Sequence, residues 1–439
     1  MAPSCWFFPF FHFSSATRPF SLLRALCIHF VLVLATPAQQ ATAAPSTTTA
    51  TTSACRTPLR DGVTEQILIT GGTGMIGSQL VKHAVDNCEF GSAKNVIVLA
   101  RWRSNLRNLK GYVHRIQLEY GDVTDSFFVT NLLKKLKPDY VFHFAAQAIN
   151  GVSFGSASLS LNVNIIGTLN VLEAVRVLQN SGDVSKEMRI LVAGSSAEYG
   201  AAAIDWEGTP IPETAHLKPF TPYGVSKVAQ ENLAMMYATT YNLKTIVARI
   251  FIQMAEGGTD QLSLQNFAKQ IAELESQAER EREDLEHACK IKKTNSNQTC
   301  SATSIHPEAT GRSSSSSNSN YTLYHGDLST SRDVTDVADS APVFLKLCRI
   351  GKPGEAYNVG SGIGYTIKDM LQLLTKEAKI PINLEFDRSR LRSADEKTLL
   401  ADNSKLRKLT GWVPNPNITV TANNILQHWR EEVAMRNGQ

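Results

Sequence analysis

The chain has 439 residues, 43% of them hydrophobic and 19% charged, ordinary values for a soluble globular protein and enough for one large or two ordinary domains. A net charge of +4, dispersed along the chain with no RNA- or DNA-reading motif, argues against a nucleic-acid partner. Seven cysteines without a Cys-x-x-Cys or His/Cys cluster give no zinc site.

Residues 1–64 read as a targeting leader and linker outside the fold. Arg18 and Arg24 precede the short apolar run Ala25–Ala35, and Thr36-Pro-Ala-Gln39 offers small residues for cleavage, which is the pattern of a secretory-type signal. The run is short for a membrane span. A plastid-directed leader and a retained Golgi-type anchor are the rival readings, and only an uncleaved leader would tether the chain to a membrane. Ala41–Ser53 is an Ala/Thr/Ser linker. Cys88 and Cys348 read as buried thiols, while Cys289 and Cys300 would close a loop only in an oxidising lumen. Sequons begin at Asn297, Asn320 and Asn417.

The stretch Ile67-Leu-Ile-Thr-Gly-Gly-Thr-Gly-Met-Ile-Gly77 runs a short apolar strand into spaced glycines and then into a helix over Ser78–Val85. That order suits a dinucleotide: a tight turn at Gly71 and Gly72, close backbone approach to a pyrophosphate at Gly74, and close helix packing at Gly77. The helix N-terminus, with Met75 and Ile76, then offers N–H groups to phosphate. A second strand, Asn95–Leu99, ends where an acidic residue would hold the ribose of NAD, but the chain continues Arg101-Trp-Arg-Ser104. Guanidinium groups beside a serine suit a 2′-phosphate, so NADP is favoured over NAD, with a solvated basic loop as the plain alternative.

Further apolar runs at Arg115–Leu118, Tyr140–Phe144, Arg189–Ala193 and Thr245–Ile250 alternate with helical patterns such as Asn164–Leu178. The alternation specifies βαβ units: an α/β, Rossmann-type doubly wound parallel sheet. Residues 65–255 are assigned to the NADP-binding domain and 256–439 to a smaller carboxyl-terminal substrate lobe. Within the lobe, 276–320 reads as a disordered insertion: Glu273–Lys293 is charge-dense and helical, and Gly311–Asn320 is rich in serine and asparagine. Arg332–Ile350 and Tyr365–Lys379 read as helices, and Ile382–Phe386 as a strand.

Two segments add chemistry. Leu191-Val-Ala-Gly-Ser-Ser-Ala-Glu-Tyr199 places Ser195 just past a strand end, and Pro222-Tyr-Gly-Val-Ser-Lys227 starts a helix with Tyr223 and Lys227 on one face. A free phenol titrates near pKa ~10, so proton transfer at neutral pH needs a neighbouring cation, which Lys227 supplies while also holding nicotinamide ribose hydroxyls. Ser195 would orient the same substrate oxygen. Singly, each of these residues is explained by a solvated helix or a turn; it is their order along successive strand ends that points to an enzyme.

Together, Thr70-Gly-Gly-Thr-Gly-Met-Ile-Gly77, Gly121-Asp122, Asn164-Ile-Ile-Gly-Thr168, Ser195, Tyr223-x-x-x-Lys227, Arg332-Asp-Val-Thr-Asp336 and Tyr357-Asn-Val-Gly-Ser361 resemble the extended short-chain dehydrogenase/reductase family of nucleotide-sugar epimerases and dehydratases. Gly-Ser-Ser-Ala-Glu-Tyr-Gly200, Gly-Thr-Asp-Gln261 and Leu-Arg-Ser-Ala-Asp395 are most similar to its GDP-mannose 4,6-dehydratase and GDP-4-keto-6-deoxymannose reductase branch. The resemblance implies Asp122 and Val123 at the adenine, Ala145 and Ala146 along the cofactor, Asn164 positioning the catalytic region, Ser196 at the sugar, and Arg332 and Arg392 on the substrate diphosphate. It also implies a GDP-linked nucleotide-sugar substrate and a homodimer.

Departures refine the expectation. Dehydratases of this branch carry a carboxylate at the position of Ala197, and an alanine cannot remove a proton; Glu198 next door points a different way. The expected Arg-x-x-Asn is Arg249-Ile-Phe-Ile252, and the Gly-Pro after it is Ala255-Glu256. Reduction of a GDP-4-keto-6-deoxyhexose is therefore the leading expectation, with 4,6-dehydration of GDP-mannose or epimerisation next, and a non-catalytic NADP- or sugar-nucleotide-binding protein as the alternative of another class.

Overall fold

The computed structural model describes residues 65–182, 187–295, 321–391 and 397–438. The leader and linker, the Ser/Asn-rich segment, Cys300, Asn297, Asn320 and Arg392 lie outside the described residues.

The strands and helices in chain order are β1 Ile67–Thr70, α1 Met75–Asp86, β2 Val96–Ala100, β3 Gln117–Tyr120, α2 Ser126–Leu136, β4 Tyr140–His143, α3 Asn150–Gly155, α4 Ala157–Leu161, α5 Gly167–Asn180 and β5 Arg189–Ser195. There follow α6 Pro222–Tyr241, β6 Lys244–Ile250, β7 Ile252–Met254, α7 Ser263–Asn295, β8 Thr322–His325, β9 Ser331–Asp336, α8 Val337–Ile350 and β10 Ala356–Val359. The chain then runs through β11 Gly364–Thr366, α9 Ile367–Lys376, β12 Asn383–Phe386, β13 Thr398–Leu399, α10 Ser404–Thr410 and α11 Thr419–Asn437. A one-turn π-helix, Asn162–Ile166, links α4 to α5.

The large sheet has seven parallel strands in the order β10-β6-β5-β4-β1-β2-β3. Its strands are apolar on both faces because both are covered. Ile67, Ile69, Val96, Val98, Phe142, Leu191 and Ile246 pack beneath α1 and α8, while Leu68, Ile97, Val141, Ile190, Val192 and Val247 pack beneath α2, α5 and α6. Chain order reverses between β1 and β4, and this switch point opens a crevice at the strands' carboxyl ends. The six strands expected for this sheet are present, each shifted by no more than two residues at either end, and the expected strand Ile382–Phe386 is β12, outside it.

The C-terminal half differs from the expectation in three ways. The 255/256 boundary does not separate the two parts, because β10 pairs with β6 and α8 packs on α1; the edge of β6 would otherwise be left open. The supposed helix from Arg332 begins only at Val337, where the Asp336 carboxylate accepts from Ala338 N; Ser331–Asp336 is a strand flanked by β7, β11 and β13. Likewise Gly364–Thr366 is a strand before α9 begins. The insertion is not disordered over its first part, since 276–295 continue α7, which packs against α11 through the core of the smaller lobe. Cys88 is half-buried and disulfide-bonded instead of a buried thiol, whereas Cys348 is buried and burial pushes its thiol up to about 12.

Candidate active site

The glycine loop leaves β1 beneath the switch point. Gly71 has φ +73°, and a Cβ there would stand 2.7 Å from Ala145 N, so any other residue would force β1 and β4 apart. A Cβ on Gly77 would come 2.4 Å from Gly71 O, which is why α1 can fold back tightly onto the loop. Gly74 is the N-cap of α1 and provides no side-chain cap, so the first turn, Met75 and Ile76 included, presents bare backbone donors toward the crevice. This cradle fits a dinucleotide pyrophosphate.

The other predicted cofactor residues border the same crevice. Arg101 follows β2 and is exposed, its turn closed by Arg101 N donating to Ser104 Oγ at 3.0 Å. Asp122 follows β3 and accepts from Thr124 N and Oγ1 at 2.9 and 2.8 Å, which fixes that loop, and Val123 is buried against Gly167. Ala145 and Ala146 follow β4, with Ala145 N donating to Thr70 Oγ1 at 3.2 Å. Asn164 is fully buried in the π-turn; its Oδ1 accepts from Gln147 N at 2.7 Å and its Nδ2 donates to Ser226 Oγ at 2.8 Å. Its amide is thus used inside the protein, where it positions the loop after β4 against α6.

Helix α6 begins with Pro222 at its first turn and Thr221 as its cap, accepting from Gly224 N. Gly224 lies so close to the loop after β5 that a Cβ would meet Ala197 O at 2.7 Å, and this approach brings Tyr223 up to Ser195. Burial pushes the Tyr223 phenol up to about 12; a hydrogen bond with the Ser195 side chain pulls it down, and the Glu198 charge adds to the rise. Lys227 Nζ stands 5.6 Å from the Tyr223 ring centroid and donates to Ala193 O at 2.8 Å. Burial lowers its ammonium to about 8, opposed by Glu198. The three predicted catalytic residues therefore meet at one point, at the carboxyl end of β5.

Glu198 does not face that point. It is fully buried, accepts from Ser195 N at 2.6 Å, and lies 3.7 Å from Arg249, which also bonds Glu231 at 2.5 and 2.8 Å. Burial, with Glu231 beside it, holds the Glu198 carboxyl well above the usual range. Arg249 further donates to Tyr199 Oη at 3.0 Å and Glu213 O at 2.9 Å, and Tyr199 donates to Asn358 on β10 at 2.6 Å. This ionic layer under Ser195 was not foreseen from the sequence. Its signal there was a charged residue, Arg249, in an otherwise apolar central strand.

On the substrate side, Ser196 follows Ser195 and is half-buried. Ile252 opens β7, is 39% exposed, and pairs with Val334 of β9, two residues from Arg332. Arg332 is 6% exposed, donates to Ser331 O at 2.8 Å, and sits beside Asp333, a buried carboxylate that accepts from the backbone of Ser361, Gly362 and Ala401. Glu256, in the place of a proline, pairs with Lys82 of α1 at 3.0 Å and accepts from Gln79 at 2.7 Å, so this departure ties the lobe to the cofactor helix.

Residues 68–288, just over half of the chain, match the family model for GDP-mannose 4,6 dehydratase. The chain is 27% identical over 296 residues to the GDP-6-deoxy-D-mannose reductase of Pseudomonas aeruginosa, covering 67% of this chain and 82% of that protein. It is 23% identical to the GDP-mannose 4,6-dehydratase of Vibrio cholerae, covering 80% and 90%. Among solved structures it is similar to RMD from Pseudomonas aeruginosa complexed with NADPH, with a TM-score of 0.59, 24% identity, and coverage of 84% of this chain and 99% of that one. UDP-glucose 4-epimerase from Thermotoga maritima gives 0.63 at 21% identity, with the same coverage. With its sheet order, glycine cradle and Ser195–Tyr223–Lys227 cluster, the chain belongs to the GDP-mannose 4,6 dehydratase family of extended short-chain dehydrogenases/reductases, NAD(P)-dependent enzymes of nucleotide sugars.

Proposed function

We propose that this chain is an NADP(H)-dependent reductase of a GDP-linked 4-keto-6-deoxyhexose. The observation that carries the reading is the pairing of an intact Ser195–Tyr223–Lys227 cluster with Ala197 where dehydration needs a carboxylate, the neighbouring carboxyl of Glu198 being buried beneath the site. The similarity to the Pseudomonas reductase supports it.

A nicotinamide cofactor held over the glycine loop at Gly71–Gly77 would supply the hydride that reduces a sugar carbonyl. Ser195 holds the carbonyl oxygen, and Tyr223 gives that oxygen its phenolic proton as the carbon is reduced. A phenol lifted to about 12 stays protonated throughout the neutral range, which suits a proton donor better than a base. Lys227 stabilises the phenolate left behind, and proton return from solvent resets Tyr223. Incubation with GDP-4-keto-6-deoxymannose should consume NADPH absorbance one-for-one with alcohol product. Absence of turnover across a set of GDP-linked keto sugars would defeat the proposal, and conversion of GDP-mannose to a product lighter by one water would favour dehydration instead.

The choice of NADP rests on Arg101 and Arg103, both exposed beside the closed turn at Ser104, within reach of a 2′-phosphate at the end of β2. Arg101→Asp should shift the NADP/NAD Kd ratio toward NAD by at least about tenfold, the equivalent of one charge-assisted hydrogen bond. An unchanged ratio in paired titrations would remove Arg101 from the assignment.

A further inference from the structure

We propose that His143 is a positioning residue that clamps the cofactor loop to the catalytic helix through one directed chain of hydrogen bonds, as the neutral imidazole carrying its proton on Nε2. The clamp rests on the reading of the glycine loop and α6 given above.

His143 is the last residue of β4 and is completely buried. Its Nδ1 lies 2.9 Å from Thr70 Oγ1, and its Nε2 lies 3.0 Å from Thr168 Oγ1. The proton positions follow from counting. Thr168 has one hydroxyl proton, which it donates to Asn164 O at 2.7 Å, so toward His143 it can only accept. Gln230 Nε2 donates to the same oxygen at 2.5 Å. Nε2 of His143 must therefore carry hydrogen, and in the neutral ring Nδ1 is bare and accepts the Thr70 hydroxyl proton. Thr70 Oγ1 in turn accepts from Ala145 N at 3.2 Å. Every donor in this chain has an acceptor. A doubly protonated ring would turn the Thr70 hydroxyl proton away from Nδ1, and that proton would need another acceptor. Burial, and next the charge of Lys227, oppose that form and lower the imidazole to about 3.

The ends of the chain lie where coupling matters. Thr70 immediately precedes Gly71, whose absent Cβ allows contact with Ala145, and so sets the floor of the cofactor crevice. Gln230 is three residues beyond Lys227 on α6, and Asn164, which accepts from Thr168, also bonds Ser226 next to Lys227. Displacing one end displaces the other, so the clamp links cofactor affinity to the placement of Tyr223 and Lys227.

The test uses the full chain. His143→Phe keeps an aromatic ring and removes both bonds; Thr168→Val removes the central hydroxyl. Each should weaken NADPH binding, measured by fluorescence titration, about tenfold, the scale of one to two buried hydrogen bonds. Thr70→Val combined with Thr168→Val should be no worse than the more damaging single change, because both break one chain. Nitrogen-15 imidazole spectra of the histidine-labelled wild type, assigned by difference from His143→Phe, should show a protonated Nε2 and a bare Nδ1. An Nδ1–H tautomer or an imidazolium would overturn the clamp, as would a Thr168→Val protein binding NADPH within twofold of wild type. Should His143→Phe fail to fold, the spectrum of wild type against Thr168→Val decides. A wild-type protein that does not bind NADPH at all would defeat the cofactor reading, and the tautomer would still judge the clamp.

Discussion

Tyr223→Phe should lower kcat for keto-sugar reduction by about 10³-fold, close to 4 kcal/mol of barrier, while leaving the Kd for NADPH within about twofold. The change removes one oxygen from a half-buried tyrosine whose hydroxyl meets Ser195, and leaves the aromatic ring beside Lys227 in place. Cofactor affinity and proton transfer are thereby separated, and a fall in both together would mean that the helix had moved. The pH profile supplies an independent check. In the free enzyme Lys227 discharges as pH rises through about 8, so kcat/KM for reduction should decline above that point although Tyr223 remains protonated. Stability should not follow the same course. The folded Lys227 loses its proton before the unfolded one does, near ~10.4, so between these values the unfolded state holds more protons and this group's contribution to stability rises with pH. A decline in activity without loss of fold above pH 8 is thus the expected pattern, and coincident melting would sink the assignment to Lys227.

The residues that make these predictions possible were legible because they sit on local patterns. Strand, glycine cluster and helix follow one another within a dozen positions around Gly71, and Tyr223 and Lys227 share a helical face. What the chain did not disclose depends on distant pairing. Ala356–Val359 is a four-residue strand carrying a polar Asn358, and nothing local marks it as the closing strand beside β6; it holds that place because Asn358 bonds Tyr199 and the backbone of Ile211 and Asp402. Ser331–Asp336 reads as the start of a helix, yet it becomes a strand because β7, β11 and β13 offer it partners and Asp333 is met by three backbone N–H groups. Glu198 illustrates the reverse case. Its place one step from Ala197 redirects the side chain, and the carboxyl lies buried beside Arg249. His143 reads as the polar end of an apolar strand until Thr70 and Thr168 are seen on either side of the ring.

Arg249→Met should cost about 3–5 kcal/mol at pH 7, the range for removing one partner from a buried ion pair. Arg249 is 4% exposed and its fork is divided among the Glu231 carboxylate, Tyr199 and Glu213 O, with Glu198 at 3.7 Å. Two glutamates already share this space, and the guanidinium, with the backbone bond from Ser195, pulls the Glu198 carboxyl downward against burial and Glu231. Without it, burial raises the Glu198 carboxyl still further. A carboxyl held protonated in the folded state but ionised when unfolded loses stability as pH rises above its unfolded value near ~4.3, so the deficit should be smaller at pH 5 than at pH 7. Urea melts at the two pH values measure the difference, and Glu231→Gln in the Arg249→Met background should recover part of it by removing the unpaired charge. A deficit below about 1 kcal/mol at pH 7, the scale of an exposed pair, would show that the layer under Ser195 is wet and not a buried ionic support. The same substitution also bears on catalysis, because Glu198 holds Ser195 N at 2.6 Å: a variant that regains stability through Glu231→Gln but not kcat would show that the guanidinium places Ser195 as well as securing the fold.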